Sequence, residues 1–599
     1  MRPATLSFLI LGCAGCTAGR ATDAAASFGT RVWSGEDPDF VTGDVSPDGR
    51  YLTDINWDSG DLQVIDLETG NARDLTGQGY GGDGYAWMSA FSTDGRRVAI
   101  AWYVIRANSH DLRVVNLDGT GARVLVPAGE GHYYIDPVDW SANDREILVA
   151  VQLANRTWQL GLVSVADGAM RIVKTLGWQS PGGGHDQAYP DADLSPDGRY
   201  IAYDYPPDPK APTRDILAID LNGGSETTLV AGAGSDRLLG WLPDNSGILF
   251  YSDRSGTPSV WRQRVREGRP AGEPQLVYAG VAGLIPIGFT AKGYAYGLAA
   301  EAERVHIAVV DSALGAVQTL PEPVAGPVWR VSLAGDWSPD GTRLAHNTQS
   351  PFPDPVESLV IRSQAGEVTR TYPLTPALHT SNGTLRWVTE DRLLMFAYEQ
   401  GRDGIYSVSL RDGTHERLAT PPSIGRGALK WFEAGPDGRV LYLLREPRDG
   451  GDSELLAFDV ATGELRRLGT ARGAIPASLA VSPDGKELAY LVNDAATRTV
   501  ELRVLAGSGT GTARTLYRAP RGGMGAPIAW MPDGTRLVFK YRRGDDPPGL
   551  WTVGLRGGDP VPLLANCCRE NDVRISPDGR RLVFAGGRDR GELWISRSY

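Results

Sequence analysis

Seven histidines are the side chains here best suited to moving protons near neutral pH: His110, His132, His185, His306, His346, His379 and His415. They are scattered, and scattered histidines are more often hydrogen-bonded or exposed than catalytic. Two fall in segments of unusual composition. One is Gly131-His132-Tyr133-Tyr134-Ile135-Asp136, and the other runs from Pro181 to Asp191 through His185, Tyr189 and three consecutive glycines. A third such segment, Gly79 to Trp87, carries Tyr80, Tyr85 and Trp87. Asp and His in these segments could serve a lyase or hydrolase if two titratable groups converged in one pocket. Aromatic side chains there could instead supply contact area at low entropic cost. The second reading assigns Tyr80, Trp87, Tyr133, His185, Tyr189 and Asp191 to binding and leaves no residue in a catalytic role.

Other reactive patterns are missing or weak. Ala506-Gly507-Ser508-Gly509-Thr510 approaches a nucleophile elbow but has Ala at its first position. There is no His-Glu-x-x-His, phosphate loop or dinucleotide fingerprint. Cys567 and Cys568 are adjacent and have no companion ligands, so burial or a local disulfide is expected of them. No cofactor and no metal is expected, and the many Asp-Gly pairs read as turn chemistry rather than as calcium ligands.

What positions these residues is a repeated unit. Ser-Pro-Asp-Gly begins at Ser46, Ser195, Ser338, Ser482 and Ser576, with weaker copies at Ser92, Ser141, Leu242, Thr290, Val388, Gly435 and Met531, spaced 45 to 54 residues apart. Pro presets φ, Asp bonds local backbone and Gly accepts positive φ. After each turn come apolar, β-branched runs such as Tyr51 to Ile55 and Leu62 to Leu67, and then a short outer strand such as Arg73 to Thr76. A period of this length with about four strands per unit predicts an all-β fold of tandem β-propellers. Phe91, Trp140, Trp241, Phe289, Trp337, Trp387 and Trp530 precede the turn and are expected to fill space between blades.

These turns, with Ile248-Leu249-Phe250-Tyr251, the turn Ser252 to Thr257 and Ser259-Val260-Trp261, resemble the TolB-type propeller repeat. That repeat is shared with the propeller domains of prolyl oligopeptidase-like and tricorn proteases. The resemblance covers about residues 30 to 599. It implies protein or peptide contacts, or gating of a separately encoded protease. The repeats run to Tyr599, which leaves no stretch for a hydrolase domain.

A net charge of −12 argues against a nucleic-acid partner. Arg2, the apolar run Ala4 to Leu11 and Gly12-Cys13 read as an export signal with a lipobox across residues 1–16. Cys13 is the expected lipidated residue, with Cys16 as the alternative. Residues 17–29 would be a tether, giving a lipoprotein of the bacterial envelope that meets the membrane only through its anchor. Twelve blades exceed one ring, so two six-bladed rings are expected, over 30–313 and 314–599. In the expected closure, Thr30 to Ser34 pairs with the blade containing His306, and Ala316 to Leu320 completes the last blade of the second ring. The expected function is a protein- or peptide-binding platform.

Overall fold

The computed structural model describes residues 28–599 except 37–42, 57–58, 80–83, 105–106, 108, 130, 154–156, 177–189, 207–212, 233, 282–283, 302–303, 310–322, 328–334, 350–356, 375–377, 400–401, 419–428, 446–451, 495–496, 521–522, 545–547, 565–572, 587–589 and 598.

The turn is the local engine of the fold. In the first copy the Ser46 hydroxyl donates to Asp48 Oδ1 (2.6 Å) and accepts the Tyr51 amide (2.8 Å), while Asp48 Oδ1 also accepts the Arg50 amide (3.0 Å). Gly49, at φ 68°, supplies the left-handed step. The same serine–aspartate bond recurs at Ser195–Asp197 (2.6 Å) and Ser482–Asp484 (2.8 Å). Each turn joins two antiparallel strands in fixed register, and a third and fourth strand follow outward.

Twelve antiparallel sheets result among the described residues, numbered here as blades 1 to 12 by the turn each contains. Successive blades neighbour one another in two series, blades 1 to 6 and blades 7 to 12, called here the first and second rings. The second closes through the innermost strands of blades 12 and 7, and the first through the seam between blades 6 and 1. The fold is a tandem β-propeller. Its core lies between blades, where apolar faces too large for one sheet to cover pack on the next. Trp140, Trp241 and Trp337 are buried in these seams at 1%, 3% and 3% exposure, and Phe91, Trp387 and Trp530 are buried with them. Phe289 is half-buried, against Tyr294 (4.9 Å) and Tyr599 (5.0 Å).

Closure differs from the expected scheme. Thr30–Glu36 pairs with Arg590–Ser596, placing Arg31 opposite Trp594, and both complete blade 6 beside Gly293–Glu301. The strand with His306, Arg304–Val309, instead pairs with Arg581–Gly586 of blade 12, whose outer strand is Pro323–Pro327. The two strands have thus traded rings. Either arrangement gives every strand a partner of the same kind, so alternation and turn chemistry do not distinguish them. Ala316 to Leu320 lies outside the described residues.

Blade 6 meets blade 1 through an apolar seam of Val45, Leu52, Ile285, Ala295, Leu593 and Ile595. Polar contacts reinforce it: Ala291 N donates to Pro47 O (2.7 Å) and Lys292 Nζ to Gly49 O (2.9 Å). Lys292→Met is therefore expected to cost about 1 kcal/mol in urea unfolding. An unchanged midpoint would show that this closing contact contributes nothing.

Candidate functional site

Two features of the first ring could meet a ligand. The first is an aromatic band across blades 2 and 3. Two segments read as loops are in fact strand: Gly84–Phe91 and His132–Trp140 are the innermost strands of these blades. The first carries a β-bulge at Trp87 and the second carries two, at Tyr133 and Val138, where the partner strand skips a residue. A bulge re-aims the extra side chain away from the regular alternation. Trp87 and Tyr133 are half-buried.

A chain of ring contacts links them. Trp87 lies 6.0 Å from His110, His110 lies 4.6 Å from Tyr134, and Tyr134 lies 4.5 Å from Tyr133. Tyr85 and Tyr103 extend the band on one side (5.0 Å), and Trp158 stacks beneath Tyr134 on the other (6.4 Å, 7° between planes). Beneath the band His110 Nδ1 bonds Asp136 Oδ1 at 2.9 Å, with the two side chains 1% and 0% exposed. His132 Nε2 donates to His110 O at 2.8 Å. This Asp–His pair joins blade 2 to blade 3 and is sealed from solvent. It fixes the floor of the band.

Of the residues assigned to binding, the structure brings Trp87 and Tyr133 together. Tyr80, His185 and Tyr189 lie outside the described residues, as do Cys13, Cys16, Cys567 and Cys568. Asp191 lies elsewhere, on the ring's axis, where it accepts from Arg237 Nε at 3.1 Å.

The second feature is the axial bore, a cavity of about 580 Å³ lined by all six innermost strands of the first ring. Its wall positions are set by register: the residue two before each turn faces the axis. In the first ring these are Asp44, Ala90, Asp139, Asp193, Gly240 and Gly288. Each aspartate latches the next blade. Asp44 Oδ2 accepts Phe91 N (2.7 Å), Asp139 Oδ2 accepts Leu194 N (3.0 Å) and Asp193 Oδ2 accepts Trp241 N (2.5 Å). Gly240, at φ 140°, is required because a Cβ there would sit 3.0 Å from Asp193 Oδ2.

Depth in the molecule raises the Asp44 carboxyl to about 7, overcoming the Phe91 and Val45 amides that lower it. Burial likewise raises Asp139 and Asp193, which bond each other through their side chains. The latches were missed in the sequence. Their signal was an Asp two residues before the turn, at 44, 139, 193 and 336.

The second ring fills the same positions differently, with Asp336, Arg386, Glu433, Ala480, Ala529 and Arg574. Arg386 Nε donates to Glu433 Oε2 (2.8 Å), and Arg574 Nη2 (2.6 Å) and Trp431 Nε1 (3.0 Å) donate to Glu433 Oε1. Asp336 repeats the latch, accepting Trp387 N at 2.7 Å. Among the described residues no group of three or more His, Cys, Asp or Glu side chains could hold a metal ion.

No family model and no curated protein matches the chain. Among solved structures it is similar to TolB from Acinetobacter baumannii, at 11% identity over 80% of this chain and 79% of that one, with a TM-score of 0.25. It is similar to the tricorn protease at 16% identity over 92% of this chain and 53% of that one, with a TM-score of 0.27. A prolyl endopeptidase, from a study of two such enzymes, matches at 14% identity over 82% of this chain and 59% of that one, with a TM-score of 0.29. The chain thus spans little more than half the length of either protease chain.

Proposed function

We propose that this protein is an exported, lipid-anchored double propeller of two six-bladed rings that exchange one strand near residues 304–309 and 590–596, and that it binds a protein or peptide partner in the bacterial envelope. The observation that carries the binding role is the pair of bulges presenting Trp87 and Tyr133 on a floor fixed by His110 and Asp136. Inner strands bulge elsewhere too, at Val138, Leu239 and Ile287, but among the described residues only at Trp87 and Tyr133 do bulges of adjacent blades carry aromatic rings joined through one chain of contacts. Tyr and Trp supply large contact area with few rotatable bonds and keep a polar edge for hydrogen bonding. Anchoring rests on Arg2, the apolar run and Gly12-Cys13.

The test is capture of the partner from cell envelope by the intact protein, followed by affinity measurement with Trp87→Ala and Tyr133→Ala. Each is expected to weaken binding by about 2 kcal/mol or more, about 30-fold, as buried aromatic anchors do. Unchanged affinity in the folded double variant would refute the site. Mass spectrometry of the mature N-terminus tests the anchor. Lipid on Cys13 is expected, and an unmodified terminus beyond Ala18 would rule the lipoprotein out.

A further inference from the structure

Blade 5 alone among the described sheets carries an extra ribbon. Its third strand, Ser259–Arg266, runs on through a turn at Glu267 (φ 50°) and Gly268 (φ 70°) into the short strand Arg269–Pro270. Gln263 and Val265 of the third strand are buried, so Arg262, Arg264 and Arg266 share the opposite, outward face. Arg269 stands directly across the ladder from Arg266. Like charges in that position repel.

Nothing within the described residues relieves this repulsion. Arg262 donates to Ser246 Oγ at 2.8 Å, but Arg264, Arg266 and Arg269 are exposed and form no ion pair. The carboxylates of the same hairpin, Glu267 and Glu273, are exposed and form no ion pair with them. Some exposed arginines elsewhere are paired, as in Arg50–Asp66, Arg199–Asp220 and Arg439–Asp459, each at 3.0 Å, and what sets the ribbon apart is three unpaired arginines together on one hairpin.

The ribbon is also held in place. The Gly268 backbone packs on the Tyr200 ring of blade 4 so closely that a Cβ would lie 2.4 Å from it, and Gln263 Nε2 donates to Gly272 O at 3.0 Å. Three unneutralised guanidinium groups on a rigid edge of a chain of net charge −12 form a preorganised anion-docking surface. The guanidinium fork matches phosphate geometry.

The path of the chain favours one source of phosphate. Phe28, buried at 3%, packs on Tyr278 (5.3 Å) of the outer strand of this same blade. The described chain therefore begins against the blade that carries the ribbon, at the Val260–Tyr278 end of its third strand. A tether over 17–27 reaches at most about 40 Å. We propose that the ribbon of Arg264, Arg266 and Arg269 docks the body of the protein onto the headgroups of anionic phospholipids. The choice of a membrane as occupant rests on the anchored reading above, although the vesicle test below does not need the anchor.

The test uses the full chain carrying Cys13→Ser and Cys16→Ser, so that no lipid is attached. It is sedimented with vesicles of phosphatidylcholine, alone or with one quarter phosphatidylglycerol. Any affinity of the apolar leader contributes equally to both. The anionic vesicles are expected to bind about 10- to 100-fold more tightly at low salt, and the gain is expected to fade at high salt. Arg264→Ala/Arg266→Ala/Arg269→Ala should erase the gain and leave binding to neutral vesicles and the thermal midpoint unchanged. A gain that survives the triple substitution overturns the proposal. So does complete displacement by millimolar inorganic phosphate, which would mark a free-anion site, or by polyglutamate, which would mark a surface for acidic protein. An unlipidated mature terminus together with a retained gain would refute the anchor and leave the ribbon standing.

Discussion

Glu433→Ala is expected to destabilise the second ring by about 3–5 kcal/mol, the range for removing one partner from a buried ion pair. Glu433 is 5% exposed and Arg386 3% exposed, and the Arg574 side chain is 13% exposed. One carboxylate thus bridges two guanidinium groups at the centre of a propeller, with the Asp336 carboxyl also within electrostatic reach of Arg386. Arg386 also lies over the Trp431 ring at 5.3 Å, so it cannot swing to solvent without abandoning that packing. Truncation removes the carboxylate that bridges the two cations. By contrast, Asp459→Ala breaks an exposed pair in which Arg439 is 62% exposed, together with the turn bonds from the Ala461 and Thr462 amides, and should cost clearly less. Urea unfolding of the two variants measures the difference. A loss below 1 kcal/mol for Glu433→Ala would mean that the cluster does not hold the ring together.

The repeat was legible because its determinants are local. Ser46, Asp48 and Gly49 act on one another within four residues, and so do their counterparts, so turn positions, strand order and the tryptophans of the seams could all be read along the chain. The exchange between blades 6 and 12 was not legible, because it concerns which of two equivalent edges a strand joins. The strand at Arg590–Ser596 and that at Arg304–Val309 offer comparable ladders to either site.

The axial residues were hidden for a related reason. Asp44, Asp139 and Asp193 look like ordinary polar residues near a turn, and only closure of the ring places them on one axis. Arg386, Glu433 and Arg574 lie up to 188 residues apart in sequence and meet solely because they share one register position. The aromatic band was half visible. Composition pointed to Trp87 and Tyr133, but a loop was expected where the strands continue and a bulge sets each residue out of the regular alternation.

Stability should fall as pH rises from about 4 to about 7, and Asp44 supplies the sign. Its carboxyl is raised from 3.8 to about 7 in the folded protein. Between these values the native state holds a proton that the unfolded chain has released, so raising the pH favours unfolding. Asp139, Asp193 and Asp336 are also raised by burial and act in the same direction. The turn aspartates oppose them at lower pH. Asp484 is held at about 2 by the Ser482 hydroxyl and Lys486, and Asp197, Asp340 and Asp578 are lowered too, so their contribution is present above about 4 and lost in acid. The two families place the maximum near pH 4. Asp44 faces the bore and is half-buried by exposure, so its share is about 2 kcal/mol rather than the ~4 of a fully desolvated shift. Asp44→Asn separates the effects. The amide oxygen can still accept from Phe91 N, but Val45 N loses the second carboxylate oxygen, a bond of 2.7 Å. The variant is therefore expected to be about 1 kcal/mol less stable at pH 5 and as stable as the parent, or more so, at pH 8. Unfolding curves at the two pH values should cross in this way. A parallel loss at both would show that Asp44 stays ionised throughout and that the bore imposes no penalty on its charge.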